Sequence, residues 1–205
     1  MRILICLLPL LALAKLSHAQ TFAEQIEQYR ITFKEDMISD ERAPLQDEDL
    51  QHLRWYKPDS TYAVHALFLP VENAQPIDVP TSSGRVKSFQ DVGVLLFNIQ
   101  GTVCTLHVYQ NMGLMQNPVY QDHLFLPFMD ITNGEDTYGG GRYIDLLRSE
   151  LSDGSMLLDF NKAYNPWCAY SDGYNCPVPP AENRLPVAIP VGEMMYAGPH
   201  KHRSN

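Results

Sequence analysis

The sequence predicts a single α+β or mainly β domain, in which one amphipathic helix packs on an antiparallel sheet. Near the start, apolar residues recur at steps of four and three, which is a helical period. From about Trp55 the apolar period changes to two, as in half-buried strands. Residues 164–199 hold seven prolines, which disfavours regular backbone hydrogen bonding. This last segment, here called the strap, is expected to cross the sheet without regular structure.

The helix is predicted to begin at Thr21, because Thr21-Phe22-Ala23-Glu24 has the spacing of a capping box. Its apolar stripe consists of Phe22, Ile26, Tyr29, Phe33 and Met37. Its polar face includes Arg30. We expect the stripe to cover the protein's own sheet, and a short helical turn to follow Pro44.

Strands are predicted by alternation at 62–69, 92–99, 102–109, 123–131, 137–147 and 155–161. Turn signals separate several of them: Gln100-Gly101, Asn133-Gly134 and Asp153-Gly154. The last three strands are therefore expected to pair as a meander, in a sheet that curls like a barrel. A short edge strand is predicted from Leu185 to Val191, and 200–205 is expected to fray.

The first 19 residues resemble an export signal. Met1-Arg2 is basic, residues 3–14 are almost all apolar, and Ser17-His18-Ala19 fits a cleavage site. The run is about 12 residues, shorter than the ~20 that cross a bilayer. The sequence predicts a soluble periplasmic or secreted protein, with 20–205 as one domain, because no repeat or low-complexity linker divides it.

The charge of the chain disfavours nucleic acid as a partner. The formal charge is −9, and without Arg2 and Lys15 of the signal 13 basic residues face 24 acidic ones, which is −11. Such a chain repels a phosphate backbone.

Three cysteines remain after removal of the signal. Cys104 lies on the apolar face of a predicted strand and is expected to be a buried free thiol. Cys168 and Cys176 flank an irregular, proline-rich segment, and a disulfide between them is the favoured interpretation in an oxidising compartment. Reduced thiols, a redox pair and a metal site are the alternatives, although this spacing is not a usual zinc spacing.

Polar residues and glycines concentrate around TYGGGRY (137–143) and the strap. The planar guanidinium of Arg142 suits a carboxylate or phosphate, although an ion pair with Asp159 or Glu182 would hold it equally well. Three successive glycines indicate a bulge or a close approach of another backbone or a ligand. The candidate ligand-binding residues are Tyr138, Gly140, Arg142, Asn161, Glu182, Asn183 and Arg184.

No familiar catalytic signature is present: the sequence lacks H-E-x-x-H, G-x-S-x-G and G-x-x-x-x-G-K motifs. Candidate acid–base residues are Glu182 and Asp159, with His107 as a partner. His65 and His107 lack a third ligand of suitable spacing, so neither a metal nor another cofactor is predicted.

Four strings carry a family resemblance: DITNGEDTYGGGRYIDL (130–146), LDFNKAYNPWCAY (158–170), CPVPPAENRLPVAI (176–189) and VGEMMYAGP (191–199). They closely resemble an uncharacterised bacterial family, one of the domain-of-unknown-function families, which has exported and cytosolic members. The resemblance implies a shared glycine-rich turn and cysteines matching Cys168 and Cys176, but no activity. Similar cysteines in cytosolic members imply a thiol-dependent or metal role as an alternative to the disulfide.

Binding of a small polar or anionic ligand by an exported domain is the function that these observations favour. An envelope hydrolase with carboxylate acid–base chemistry is one alternative. An accessory protein that docks a partner through an exposed apolar strip or a tyrosine-rich surface is another.

Overall fold

The computed structural model describes residues 20–151 and 153–202. Within these ranges the chain forms one α-helix and seven strands in a curled, half-barrel antiparallel sheet. The predicted fold class is confirmed. The predicted signal peptide, residues 1–19, lies outside the described residues. Among those that are described, no helix has both the length and the apolar character needed to span a membrane.

The helix, α1, comprises Phe22–Ser39. The strands are β1 Ala63–Pro70, β2 Pro76–Pro80, β3 Val86–Ile99, β4 Thr102–Asn111, β5 His123–Phe128, β6 Arg142–Leu147 and β7 Ser155–Asp159. Their order across the sheet is β6-β5-β4-β3-β1-β7, and β2 pairs with β3 beside this path. The turn Gln100-Gly101 joins β3 to β4 as predicted, with both residues at positive φ (49° and 89°).

Helix α1 begins at the predicted capping box, in which Thr21 accepts from the amide of Glu24 and Glu24 accepts from the amide of Thr21. The apolar stripe faces the protein, with Ile26 and Met37 fully buried. Arg30, expected on the polar face, is buried as well. Its guanidinium pairs with Glu27 of the same helix over 2.7 Å, donates to Tyr56 O over 2.7 Å and lies over the Trp55 ring.

The last three strands were predicted to pair as a meander, and this prediction is wrong for the third of them, β7. Strands β5 and β6 pair, from His123 opposite Leu147 to Phe128 opposite Arg142. Strand β7 instead pairs with β1 at the far edge of the sheet. A 3-10 turn at Arg148–Leu151 separates β6 from β7 and carries the chain away from β6. The open edge of β1 then supplies the hydrogen-bond partners that β7 needs.

A bulge in β3 changes which side chains face each side of the sheet. The register between β3 and β4 shifts between Asp91 and Gly93. The extra residue reverses the alternation, so Lys87 and Phe89 lie on the face opposite to that of Leu95. A Cβ at Gly93 would lie 2.4 Å from the Phe68 ring and 2.7 Å from Leu69 O. Only glycine therefore fits here without displacing β1.

The two faces of the sheet carry separate cores. The larger core contains Leu95, Leu106, Leu126, Ile144 and Leu158, among others, together with strap residues. Cys104 belongs to it and is a buried free thiol, as predicted. A smaller core on the other face consists of Val79, Phe89, Tyr109, Phe125 and Tyr143. The strap covers both faces.

The strap does not form the predicted edge strand. Leu185, Ile189 and Val191 are fully buried in the larger core. Pro186 and Pro190 interrupt this stretch and lack amide donors, so no ladder continues through it. Residues 200–202, which were expected to fray, lie against the segment around Ser171, where Lys201 N donates to Tyr170 O over 2.8 Å.

Candidate functional site

Arg142 is fully buried and its bonds are made within the chain. Its guanidinium forms an ion pair with Asp130 (2.8 Å), and so its acidic partner is neither Asp159 nor Glu182. It also donates to the carbonyl oxygens of Ile189 (2.8 Å) and Val191 (2.5 Å). Strand β6 is thereby attached to the end of the strap. This geometry describes a structural role, and ligand binding by Arg142 stays a prediction.

Two predicted asparagines are fully buried as well, and each uses both its amide oxygen and its amide nitrogen in hydrogen bonds. Asn183 accepts from His107 N and donates to the carbonyls of His107 and Pro127, over 2.7–2.8 Å. It therefore bridges β4 and β5 where their direct pairing is limited to Tyr109 opposite Phe125. Asn161 accepts from the backbone N–H of Asp59 through its amide oxygen and donates to the carbonyl of Asp59 through its amide nitrogen.

The predicted acid–base residues His107, Glu182 and Asp159 form hydrogen bonds with different partners. The ring of His107 pairs with Asp91 (2.6 Å). The exposed Glu182 accepts from the hydroxyl of Tyr109, and Asp159 caps a 3-10 turn by accepting from Asn161 N. None of these bonds joins His107 to Glu182 or Asp159.

The triple-glycine bend does meet the strap. A Cβ at Gly141 would lie 2.6 Å from Pro179 Cγ, so the close approach predicted for the glycines is made by the strap itself. Gly140 lies against the ring of Tyr138. The Tyr138 hydroxyl donates to Cys168 O, while the exposed Arg184 contacts the sulfur of Met129.

A cleft of about 550 Å³ opens over the smaller core. Strands β3, β5 and β6 supply one side of it, and strap residues 164–177 supply the other. Its walls are aromatic: Phe89, Phe125, Tyr143, Tyr164, Trp167 and Tyr174. We call it the aromatic cleft. Its volume lies in the range of small-molecule sites.

A disulfide within the strap and a hydrogen bond from β6 help to hold the strap over the aromatic cleft. The sulfur atoms of Cys168 and Cys176 lie at disulfide distance, 2.20 Å, which supports the pairing favoured from the sequence. The hydroxyl of Tyr143 on β6 donates to Pro177 O. Burial raises the pKa of Tyr143, so this hydroxyl stays protonated and keeps its donor role.

Lys87 projects into the aromatic cleft from β3, two residues before Phe89. Burial lowers the pKa of its ammonium group. Among residues 20–151 and 153–202, no carboxylate pairs with Lys87 and no acceptor lies within hydrogen-bond distance of its Nζ. The ammonium group has no partner among these residues, so an anion that enters the cleft can form a charged hydrogen bond with it.

A histidine–aspartate pair stands at the β5–β6 side of the aromatic cleft. His123 Nε2 lies 2.9 Å from one oxygen of Asp145, and the Tyr164 hydroxyl donates to the other oxygen over 2.8 Å. The hydrogen bond to Asp145 raises the pKa of His123. The carboxylate of Asp145 is thus hydrogen-bonded by two partners. It therefore offsets the attraction of Lys87 for an anion less than a free carboxylate would.

The remaining cation of the aromatic cleft, Arg42, is already paired. Its guanidinium lies 2.6 Å from Asp40 and 6.0 Å from the centre of the Trp167 ring. Its backbone carbonyl accepts from the hydroxyl of Tyr174, which holds this loop against the strap. Lys87 is therefore the cation left to meet an anion.

Comparison with protein families gives a match over residues 48–194, to a family described as protein of unknown function (DUF1684). The chain belongs to this family. The match spans β1–β7, the disulfide pair and most of the strap, and hence every wall of the aromatic cleft except Arg42. The family resemblance inferred from the sequence strings is confirmed at the level of an uncharacterised domain family.

A solved structure is similar to this family member. It is the solution NMR structure of an uncharacterised protein from Haloarcula marismortui, with 33% sequence identity and a TM-score of 0.62. The alignment covers 83% of this chain and 96% of that one. No curated protein matches.

Proposed function

We propose that the protein binds a small anion with an apolar body, such as an aromatic carboxylate, in the aromatic cleft. The observation that carries this proposal is the ammonium group of Lys87, half-buried among aromatic rings without an anionic partner among the described residues. The anionic group of the ligand would pair with Lys87, and the body would lie between the rings.

The composition of the walls supports an apolar or aromatic body rather than a bare inorganic anion. Six aromatic side chains line the cleft, and rings of a ligand gain from stacked or edge-to-face contacts with them. A bare phosphate or sulfate would lose hydration against these walls without replacing it.

We further propose that binding takes place outside the cytoplasm. The signal-like residues 1–19 motivate this proposal, and the disulfide distance between Cys168 and Cys176 supports it, since disulfides persist in oxidising compartments.

The test is a titration of purified protein with 1-naphthoate and with its neutral counterpart 1-naphthalenemethanol, followed by calorimetry. We expect Lys87→Met to weaken 1-naphthoate binding about tenfold or more, as expected for loss of a charged hydrogen bond, and to leave 1-naphthalenemethanol binding unchanged. Lys57→Met removes an exposed lysine outside the cleft and serves as the matched control, with unchanged affinity for both probes.

Three results would contradict the proposal: no binding of 1-naphthoate at millimolar concentration, equal affinity of wild type and Lys87→Met, or tighter binding of inorganic phosphate than of 1-naphthoate. Trp167 lines the cleft, so quenching of its fluorescence, absent in Trp167→Phe, locates the bound probe.

A further inference from the structure

Three metal-ligating side chains meet where the C-terminal segment returns to the strap. Asp172, His200 and His202 each offer one ligand atom, and these atoms lie within 4.8 Å of one another. The residues are exposed, and the site is separate from the walls of the aromatic cleft.

The backbone holds the two contributing segments in register. Ser171 and Lys201 form a parallel bridge, Lys201 N donates to Tyr170 O over 2.8 Å, and Asp172 N donates to Lys201 O. Residues 200 and 202 flank Lys201 in this extended stretch, so their side chains share a face. The Lys201 ammonium points elsewhere, to Asp49. Two imidazoles are thus presented beside one carboxylate.

A second observation concerns how His200 is oriented. Its Nε2 lies 3.4 Å from Cys168 O. A carbonyl oxygen only accepts, so Nε2 carries the proton and the lone pair remains on Nδ1. Histidines that bind metals almost always donate their other ring N–H to a carbonyl or carboxylate in this way. With Nδ1 as the ligand atom, His200 would have the supporting bond that is typical of a metal ligand.

We propose that Asp172, His200 and His202 bind one divalent transition-metal ion of the Zn²⁺, Ni²⁺ or Co²⁺ kind. Two imidazoles and one carboxylate suit these ions and disfavour Mg²⁺ and Ca²⁺, which take oxygen ligands. Metal–ligand bonds of about 2.1 Å place ligand atoms about 3–3.5 Å apart. The present spread closes to that range by rotation of exposed side chains.

The proposed metal site adjoins a second, polar cleft. Asp172 and His200 line this cleft of about 520 Å³, together with Tyr138, Arg85 and Ser82. Three protein ligands leave at least one position of the metal for water or a ligand oxygen. The segment 173–175 lines both clefts, so the proposed metal site lies next to the wall of the aromatic cleft.

Calorimetry of tag-free protein with Zn²⁺, and separately with Ni²⁺, tests the proposal. We expect one ion per chain and an affinity that falls at least about tenfold in His202→Ala, in His200→Ala and in Asp172→Asn, since even second-shell losses have effects of this size. His65→Ala removes an exposed histidine on β1 and is the matched control, with unchanged affinity.

The proposal fails if no binding is detected at about 1 mM metal, a concentration that would already reveal weak binding. It also fails if the three substitutions leave the affinity as it is in His65→Ala. Circular dichroism of each variant establishes that the fold is intact. A rise in melting temperature with Zn²⁺, seen in the wild type and absent from His202→Ala, is the expected second readout.

Discussion

The guanidinium of Arg142 donates to the carboxylate of Asp130 over 2.8 Å, and both side chains are completely excluded from solvent. The same guanidinium holds three carbonyl oxygens of the strap, those of Ile189, Val191 and Glu193. One residue of β6 therefore connects the β5–β6 loop to residues 189–193 of the strap.

Breaking this pair is expected to destabilise the protein strongly. Asp130→Asn or Arg142→Met leaves one buried charge without its partner, which costs about 3–5 kcal/mol of unfolding free energy. Urea denaturation measures the loss. Arg184→Met, which alters an exposed arginine of the strap, is the control and is expected to change stability by less than about 0.5 kcal/mol. A stable Arg142→Met variant that had lost only ligand binding would reverse the structural interpretation.

Substitution of Gly141 and Gly134 distinguishes the cost of backbone strain from the cost of close packing. Both have positive φ, 89° and 87°, but a Cβ at Gly141 would meet Pro179 and Phe128 O within 2.8 Å, whereas Gly134 has open space. Gly134→Ala is expected to cost about 1–2 kcal/mol from its φ alone. Gly141→Ala should cost more, since the strap must also shift. Equal losses in urea denaturation would show that the contact with Pro179 contributes nothing.

Glu193 is expected to make stability fall as pH rises from about 4.5 to 7. Burial raises its pKa to about 7. Asp130 already balances the charge of Arg142, so an ionised Glu193 would leave the site net negative. The folded state therefore binds the proton more tightly than the unfolded state, and the stabilisation is complete below about pH 4.5 and lost by about pH 7. The difference is of the order of 3 kcal/mol.

The pH effect of Glu193 is isolated by comparing variants. In Glu193→Gln, denaturation at pH 4.5 and 7.5 should show a smaller fall in stability than in the wild type, because the neutral side chain cannot ionise. Glu182→Gln alters an exposed glutamate of the strap and should retain the wild-type profile. Identical profiles for Glu193→Gln and the wild type would refute the assignment.

The disulfide is expected to contribute about 2.5 kcal/mol of stability, because it closes a loop of about eight residues in the unfolded chain. The double variant Cys168→Ser/Cys176→Ser should lose this amount. Alkylation of denatured, unreduced protein beginning at residue 20 should modify one thiol, that of Cys104, and three after reduction. Three modified thiols without reduction would mean that the pair is open.

Local patterns predicted several elements well. The capping box at Thr21, the Gln100-Gly101 turn and the buried thiol of Cys104 depend on residues close in sequence, and the structure has all three. The position of β7 was wrong, because its partner β1 lies about 90 residues earlier and no local signal names it. Strand β2 was missed, since Pro76 and Pro80 bound it.

The candidate site was less predictable. Three residues were singled out for their polarity: Arg142, Asn161 and Asn183. Their side chains are buried, and their hydrogen bonds join segments that are distant in sequence. The sequence around Lys87 did not predict that it lines a cleft, because the face of the sheet on which it lies depends on the bulge at Asp91 and Gly93. The strands that carry His123, Phe125, Tyr143 and Asp145 were predicted, but no local pattern indicated that the strap would cover these side chains.

The amino-acid order by itself determined the helix, most strands, the turns and the favoured partners in the disulfide, because each follows from periodicity or spacing within a few residues. Only the tertiary structure decided which polar groups are buried and paired and which remain available. That outcome depends on contacts between β3, β6 and the strap, whose free energies are set by burial and by charge balance among residues up to about 100 positions apart.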